Sequence, residues 1–166
     1  MRVVPGLFFL SVFLSPLAHA ELIDEVNDRG ELRIALEGNL APFNFTKEGK
    51  LSGFEIELGE MLAQELDLQP SFIPTTADDM MQGVESDKYD IALNHIAVTP
   101  ELKKQVDFSE PYSYSNAGTL AIPFQKGNPA FQGVLDRALE RIKADGRLSV
   151  LSEKWFGVDT TKPPKP

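Results

Sequence analysis

The sequence predicts an α/β domain, a mostly parallel sheet flanked by helices, on three observations. Apolar runs of strand length alternate with helical stretches along the chain. Two helical stretches, Gly53 to Leu66 and Asn128 to Ala144, carry an apolar stripe at helical spacing. The first strand-like run, Leu32 to Leu36, alternates only imperfectly, as a strand covered on both faces does.

Glu21 to Asp28 reads as a short helix with Leu22, Ile23 and Val26 on one side, ended by Gly30. After Leu32–Leu36 the chain breaks over Gly38 to Pro42. It resumes at Phe43-Asn44-Phe45 and turns at Glu48-Gly49-Lys50. In the next helix Phe54, Leu58, Met61, Leu62 and Leu66 share one face. Ser71–Pro74 is a second strand, and Thr76 caps a helix with Asp79 three residues on. Tyr89–Leu93 is a third strand, and Thr99-Pro100-Glu101 opens a short helix. Val106–Phe108 and Tyr112–Ser115 are extended. Leu120–Phe124 is a strand placed near an edge or a strand end by Pro123. Asn128-Pro129 caps the helix of Phe131, Val134, Leu135, Ala138, Leu139 and Ile142, which stops at Asp145-Gly146. Leu148, Leu151, Trp155 and Phe156 form a last amphipathic piece. Residues 159–166, with three prolines, are expected to be a disordered tail.

Residues 1–20 have a basic start at Arg2, an apolar run from Val3 to Leu17 and the small-x-small sequence Ala18-His19-Ala20. That is the pattern of a cleavable signal peptide, so export to the periplasm and no membrane insertion after cleavage are expected. The run is shorter than the roughly 20 residues a membrane span needs. Residues 21–166 suffice for one domain with its own core. With no cysteine, disulfides and thiolate chemistry are excluded. The formal charge of −9 argues against nucleic acid and anionic membranes as partners. There is no Gly-x-Ser-x-Gly word, P-loop, glycine fingerprint or metal-ligand spacing, so no enzyme, cofactor or metal site is expected.

A set of short words then occurs in a telling order. They are Glu37-Gly38, Ala41-Pro42-Phe43-Asn44-Phe45, Gly53-Phe54-Glu55-Ile56-Glu57-Leu58, Tyr89-Asp90-Ile91-Ala92, Thr99-Pro100-Glu101 and Asp107-Phe108-Ser109-Glu110-Pro111-Tyr112. Lys126-Gly127-Asn128-Pro129, Ala144-Asp145-Gly146 and Ser152-Glu153-Lys154-Trp155-Phe156-Gly157 follow. The series resembles family 3 of the bacterial extracellular solute-binding proteins, which deliver amino acids to ABC transporters, and is nearest the cystine-binding branch. The resemblance implies a type II periplasmic-binding-protein fold, but only one of its two lobes. Residues 21–116 would be the first part, 117–119 a splice in place of the second lobe, and 120–158 the returning strand and C-terminal helices. A glycine-containing hairpin is the expected junction.

The resemblance also implies where a ligand would lie. Glu37 would point a carboxylate into the former cleft, and Phe43 and Phe45 would offer an aromatic platform. Asn94 and His95 end a strand on the side where α/β sheets bind ligands. Thr99 begins a helix whose N–H groups form an anion site in principle. Each has a plainer alternative: core packing for the phenylalanines, a structural role for the histidine, capping for Thr99. Three positions depart from the family pattern. Leu102 stands for the carboxylate-gripping arginine, Ala97 for a hydroxyl donor, and Ala77 for an aromatic. Such charge-assisted pairing contributes roughly 1.5–3 kcal/mol.

The expected function is therefore weak or altered binding of amino acids or related solutes. An ABC permease, or self-association through the face left by the missing lobe, would be the protein partner. The alternative is a non-transporting periplasmic interaction module or a degenerate internal-deletion product.

Overall fold

The computed structural model describes residues 21–164. The expected signal peptide and the last two residues of the tail lie outside them. Leu22–Arg29 forms helix α1, closed by Gly30 at φ 68°, and leads into strand β1, Glu31–Leu36. Asn39–Leu40 (β2), Asn44–Lys47 (β3) and Lys50–Ser52 (β4) make a small antiparallel sheet. Phe54–Glu65 is α2, Gln69–Pro74 β5, Ala77–Glu85 α3 and Ile91–Ala92 β6. One turn of helix, Leu102–Gln105 (α4), precedes β7, Val106–Phe108. Ser113–Ser115 (β8) and Gly118–Leu120 (β9) pair as a hairpin, and Pro123–Gln125 is β10. Pro129–Ala144 (α5) and Arg147–Phe156 (α6) complete the described chain.

The main sheet has the order β5-β1-β6-β10-β7. β1 is parallel to both β5 and β6, and only β10 runs against its neighbours, so the sheet is mostly parallel as expected. Helices cover both faces. Leu22, Phe54, Leu58, Leu62, Phe131, Leu135, Leu139 and Leu148 pack α1, α2, α5 and α6 on Leu32, Ile34, Ile91 and Phe124. Met80 and Val84 of α3 cover the opposite face with Ala35, Ala92, Val106 and Phe108. Each fully buried large aliphatic or aromatic side chain stabilises the fold by about 1.5–3 kcal/mol.

Three local details differ from the sequence expectation. The returning strand is split: Leu120 still pairs with β8, whereas Pro123 starts β10, which lies inside the main sheet. Proline is tolerated because it occupies the first strand position. Asn128 does not cap its own helix. Its Oδ1 accepts from Leu22 N (2.8 Å), while Glu21 Oε2 accepts from Ala130 N (2.7 Å), so α1 and α5 cap each other. The tail also begins later than Asp159. Thr160 O accepts from Tyr114 N (2.9 Å), its hydroxyl meets Ser113 and Ser152, and its N donates to Ser152 Oγ (2.8 Å).

Strands β8 and β9 form a hairpin. Ser115 pairs with Gly118 across a two-residue loop, Asn116-Ala117, and Gly118 takes φ 117°, a value glycine tolerates. No exposed large hydrophobic among the described residues lies on the hairpin. Among the described residues the exposed large hydrophobics are Val150 (67%) and Val158 (59%), both in or just after α6. No described helix is long and apolar enough to cross a membrane.

Candidate functional site

β1 and β6 are adjacent and parallel, so their carboxyl ends emerge together. Crevices beyond such ends are where α/β sheets bind ligands. Here β1 runs into Glu37 and β6 into Leu93-Asn94-His95. The Asn94 side chain bridges the two exits: Nδ2 donates to Glu37 Oε2 (2.8 Å), and Oδ1 accepts from Glu37 N (3.1 Å). Both residues remain half-exposed. Among the described residues the second oxygen, Glu37 Oε1, has no hydrogen-bond donor.

Below this rim lies a buried polar network. Asn44 Oδ1 accepts from Gly38 N (2.8 Å), while its Nδ2 donates to Glu55 Oε2 (2.7 Å) and lies 3.2 Å from Asn94 Oδ1. Glu55 Oε1 accepts from His95 N (2.7 Å) and from the Tyr112 hydroxyl (2.6 Å). Asn44, Glu55 and Tyr112 are essentially excluded from water. Every buried side-chain nitrogen and oxygen among the described residues has a partner, as desolvation of polar groups demands.

Gly53 makes this network possible. A Cβ there would strike the carbonyl of Phe43, and its φ of 133° suits glycine. The bare backbone lets Pro42 O and Phe43 O accept from Phe54 N (3.0 Å) and Glu55 N (2.8 Å). That contact fixes Asn44 above the first turn of α2. It also occupies amides that would otherwise attract an anion.

Burial pushes the Glu55 carboxyl above its usual 4.5, against the opposing pull of Tyr112, His95 N and Asn44. Burial raises the Tyr112 hydroxyl well above 10, helped by the Glu55 charge. Burial lowers His95, so its ring is neutral at pH 7. That ring lies 4.2 Å from Phe43, centroid to centroid, and its Nε2 is 2.9 Å from Ser115 Oγ on the hairpin.

The structure thus gathers Glu37, Phe43, Asn94 and His95. Phe45 and Thr99 have structural tasks. Phe45 packs edge-on against Trp155 at 5.9 Å and so faces α6, whereas the half-buried Phe43 lies between Phe156, at 5.2 Å, and the His95 ring. Thr99 Oγ1 accepts from Leu102 N (3.2 Å) and caps the single turn of α4. Leu102 itself packs against the smaller core cluster. Sequence reasoning missed Asn44, Glu55, Tyr112 and Ser115 as parts of the site. Glu55 carried a signal: it lies three and seven residues before Leu58 and Leu62, on the apolar face of α2. A surface depression of about 570 Å³ lies elsewhere, between Val98, Lys103, Phe108, Glu110, Thr119 and Gln132. None of the described residues forms a cluster able to hold a metal ion.

A mostly parallel α/β lobe with a polar rim at the carboxyl ends of its strands is a domain of the solute-binding-protein class. Residues 32–158 match the bacterial extracellular solute-binding proteins, family 3, and the chain belongs to that family. The L-cystine-binding protein TcyJ of Escherichia coli (strain K12) is 39% identical over 138 residues, 81% of this chain and 50% of that protein. Cyclohexadienyl dehydratase of Pseudomonas aeruginosa is 32% identical over 96 residues, 57% of this chain and 36% of the enzyme. In crystal structures, a point mutant of domain 1 from TmArgBP, in its arginine-bound form, superposes with a TM-score of 0.70 at 27% identity. The match covers 74% of this chain and 98% of that one. The relatives are mainly amino-acid-binding proteins, one of them a probable amino-acid ABC transporter-binding protein of Haemophilus influenzae, and the dehydratase is an enzyme among them. The chain spans about half the length of the curated relatives it matches.

Proposed function

We propose that this chain is a single-lobe receptor of the periplasm that holds amino-acid-like solutes weakly on the rim of Glu37, Phe43, Asn94 and His95. The observation that carries this reading is the rim itself. A half-exposed carboxylate is fixed by Asn94 at the carboxyl ends of β1 and β6, above a buried network that pre-orders it. The arginine-bound domain 1 of TmArgBP supports it from outside, as a one-lobe relative crystallised with an amino acid. Ligand sites bury 70–90% of a small solute, and one open lobe covers roughly half, so a dissociation constant near millimolar is expected. The chain performs no chemistry in this reading; its half-buried His95 and Ser115 fasten the hairpin. Delivery to an ABC permease would follow the practice of the family. The reading as an interaction module has less support, because among the described residues no exposed large hydrophobic lies on the hairpin.

A thermal-shift screen of residues 21–166 against amino acids at about 10 mM tests the proposal. Ligand at ten times its dissociation constant adds about 1.4 kcal/mol, several degrees for a domain of this size. A selective shift by some amino acids is expected. A cooperative melt that none of them moves overturns solute binding, and nanomolar affinity overturns the weak, open-lobe mechanism.

A further inference from the structure

Exposed apolar side chains are scarce and lie on one side of the molecule. Among the described residues Val150 and Val158 are the exposed large hydrophobics, 67% and 59% accessible, and they belong to α6 and the turn after it. Val150 borders a groove of about 390 Å³ whose apolar lining it shares with Met61 and Leu151. α2 and α6 run antiparallel along this groove. Lys154 pairs with Glu57 (2.7 Å) at one end, and Arg147 pairs with Asp145 (2.7 Å) and Glu65 at the other. The four charged residues that line it, Glu57, Asp145, Arg147 and Lys154, sum to zero in a chain of formal charge −9. A strongly charged partner gains nothing from a neutral patch. A second copy of this acidic chain needs one, because like-charged molecules repel least where each is locally neutral.

We propose that two copies of the chain associate through this groove, α6 against α6 and antiparallel, about a twofold axis at Val150. In such an isologous pair the same patch serves both copies. Each Val150 leaves water for the apolar groove of the other copy, so an exposed side chain meets a depression that it can fill. The antiparallel register brings the Arg147–Asp145 end of one copy to the Lys154–Glu57 end of the other. Each cation then meets a carboxylate across the contact as well as within its own chain. Neither Glu37 nor Asn94 lines the groove, so this face is distinct from the rim, and the contact does not depend on a solute there. It is distinct from the hairpin side too, where no exposed large hydrophobic among the described residues lies. One helix pair buries less than the roughly 1,200 Å² of a standard interface, so the dimer is weak and forms between about 10 µM and about 1 mM.

Sedimentation velocity of residues 21–166 across that concentration range reads the association directly, and a concentration-dependent dimer is expected. Val150→Glu puts a carboxylate at the centre of the contact while keeping a good helix former at an exposed position. It should weaken the dimer about tenfold or more, and an unchanged melting curve at low concentration establishes its fold. The absence of cysteine allows a second measurement on the same face. Val150→Cys and Ala117→Cys each add one exposed thiol, the first in the groove and the second on the hairpin. Under mild oxidation V150C should cross-link into dimers faster than A117C, because only thiols that face each other across the axis come within disulfide reach. A wild type that stays monomeric at about 1 mM overturns the proposal and leaves the groove to a different partner. A dimer that V150E does not weaken, or A117C cross-linking as fast as V150C, places the contact elsewhere and overturns it as well.

Discussion

Asp90 and Glu55 are both fully buried carboxylates, and they stand at opposite ends of the same short strand. Asp90, just before β6, is gripped by Arg33 (2.7 Å) and Arg29 (2.6 Å) and also accepts from Arg33 N (2.6 Å). Glu55 reaches the far end, where His95 N follows β6, and its donors are all neutral: Asn44, His95 N and Tyr112. One end of the sheet is fastened by full charges, the other by hydrogen bonds alone. The difference teaches where the fold tolerates a counter-ion. The end without one is the end with the half-exposed rim of Glu37 and Asn94.

Removing Asp90 should be the costlier change. Asp90→Ala removes the carboxylate partner of Arg29 (29% exposed), leaves Arg33 (20% exposed) with Asp87 alone and frees Arg33 N, which should cost about 3 kcal/mol. The urea midpoint at pH 7 measures it. A loss below that of a mutation at Glu55 would overturn the ranking of the two ends.

Glu55→Gln keeps the volume and the acceptor for His95 N and Tyr112, but sets a second amide against Asn44 Nδ2. A loss of about 1–2 kcal/mol is expected near pH 4.5. The pH dependence sharpens the contrast. Burial raises the folded pKa of Glu55 above its unfolded 4.5, so its contribution is complete below 4.5 and falls as pH climbs through the folded value. The deficit of E55Q relative to wild type should therefore shrink as pH rises from 4.5 to 7. Glu65 behaves oppositely. Hydrogen bonds from Arg141 and Arg147 lower it, so its contribution is present above 4.5 and lost as pH falls through the folded value. Stability curves of wild type, E55Q and E65Q against pH separate the two, and an E55Q deficit that grows with pH would contradict the burial argument.

The same pair shows what the sequence could and could not reveal. Helical stripes such as Phe54, Leu58 and Leu62 are legible because their burial follows from spacing within one element. The Thr76 cap is legible for the same reason, and the structure shows Asp79 N donating to its hydroxyl. Asn94 and His95 were legible as a strand end, and Glu37 through the family resemblance. Glu55 was not legible as the hub, because two of its three donors lie 40 and 57 residues away. Asn128 was read as a cap for the helix beside it, whereas its partner, Leu22, lies 106 residues earlier. Local chemistry announces a cap; only the packed fold says which helix receives it.

The smallest effect should come from the strap across the hairpin, which belongs to neither end of the sheet. Thr160 holds Ser113 and Ser152 through its hydroxyl and Tyr114 through its carbonyl. Thr160→Ala removes only the hydroxyl, since the backbone bonds from Tyr114 and to Ser152 survive. A loss of about 0.5–1 kcal/mol is expected, at the scale of a single net hydrogen bond. Hydrogen exchange locates it better than a melt does, because local opening can expose the Tyr114 amide without unfolding the core. Faster exchange at Tyr114 with unchanged protection of Ile34 and Ile91 would show that the hairpin is fastened from outside the sheet. Uniformly faster exchange would instead make the strap part of the one cooperative core that Asp90 and Glu55 share.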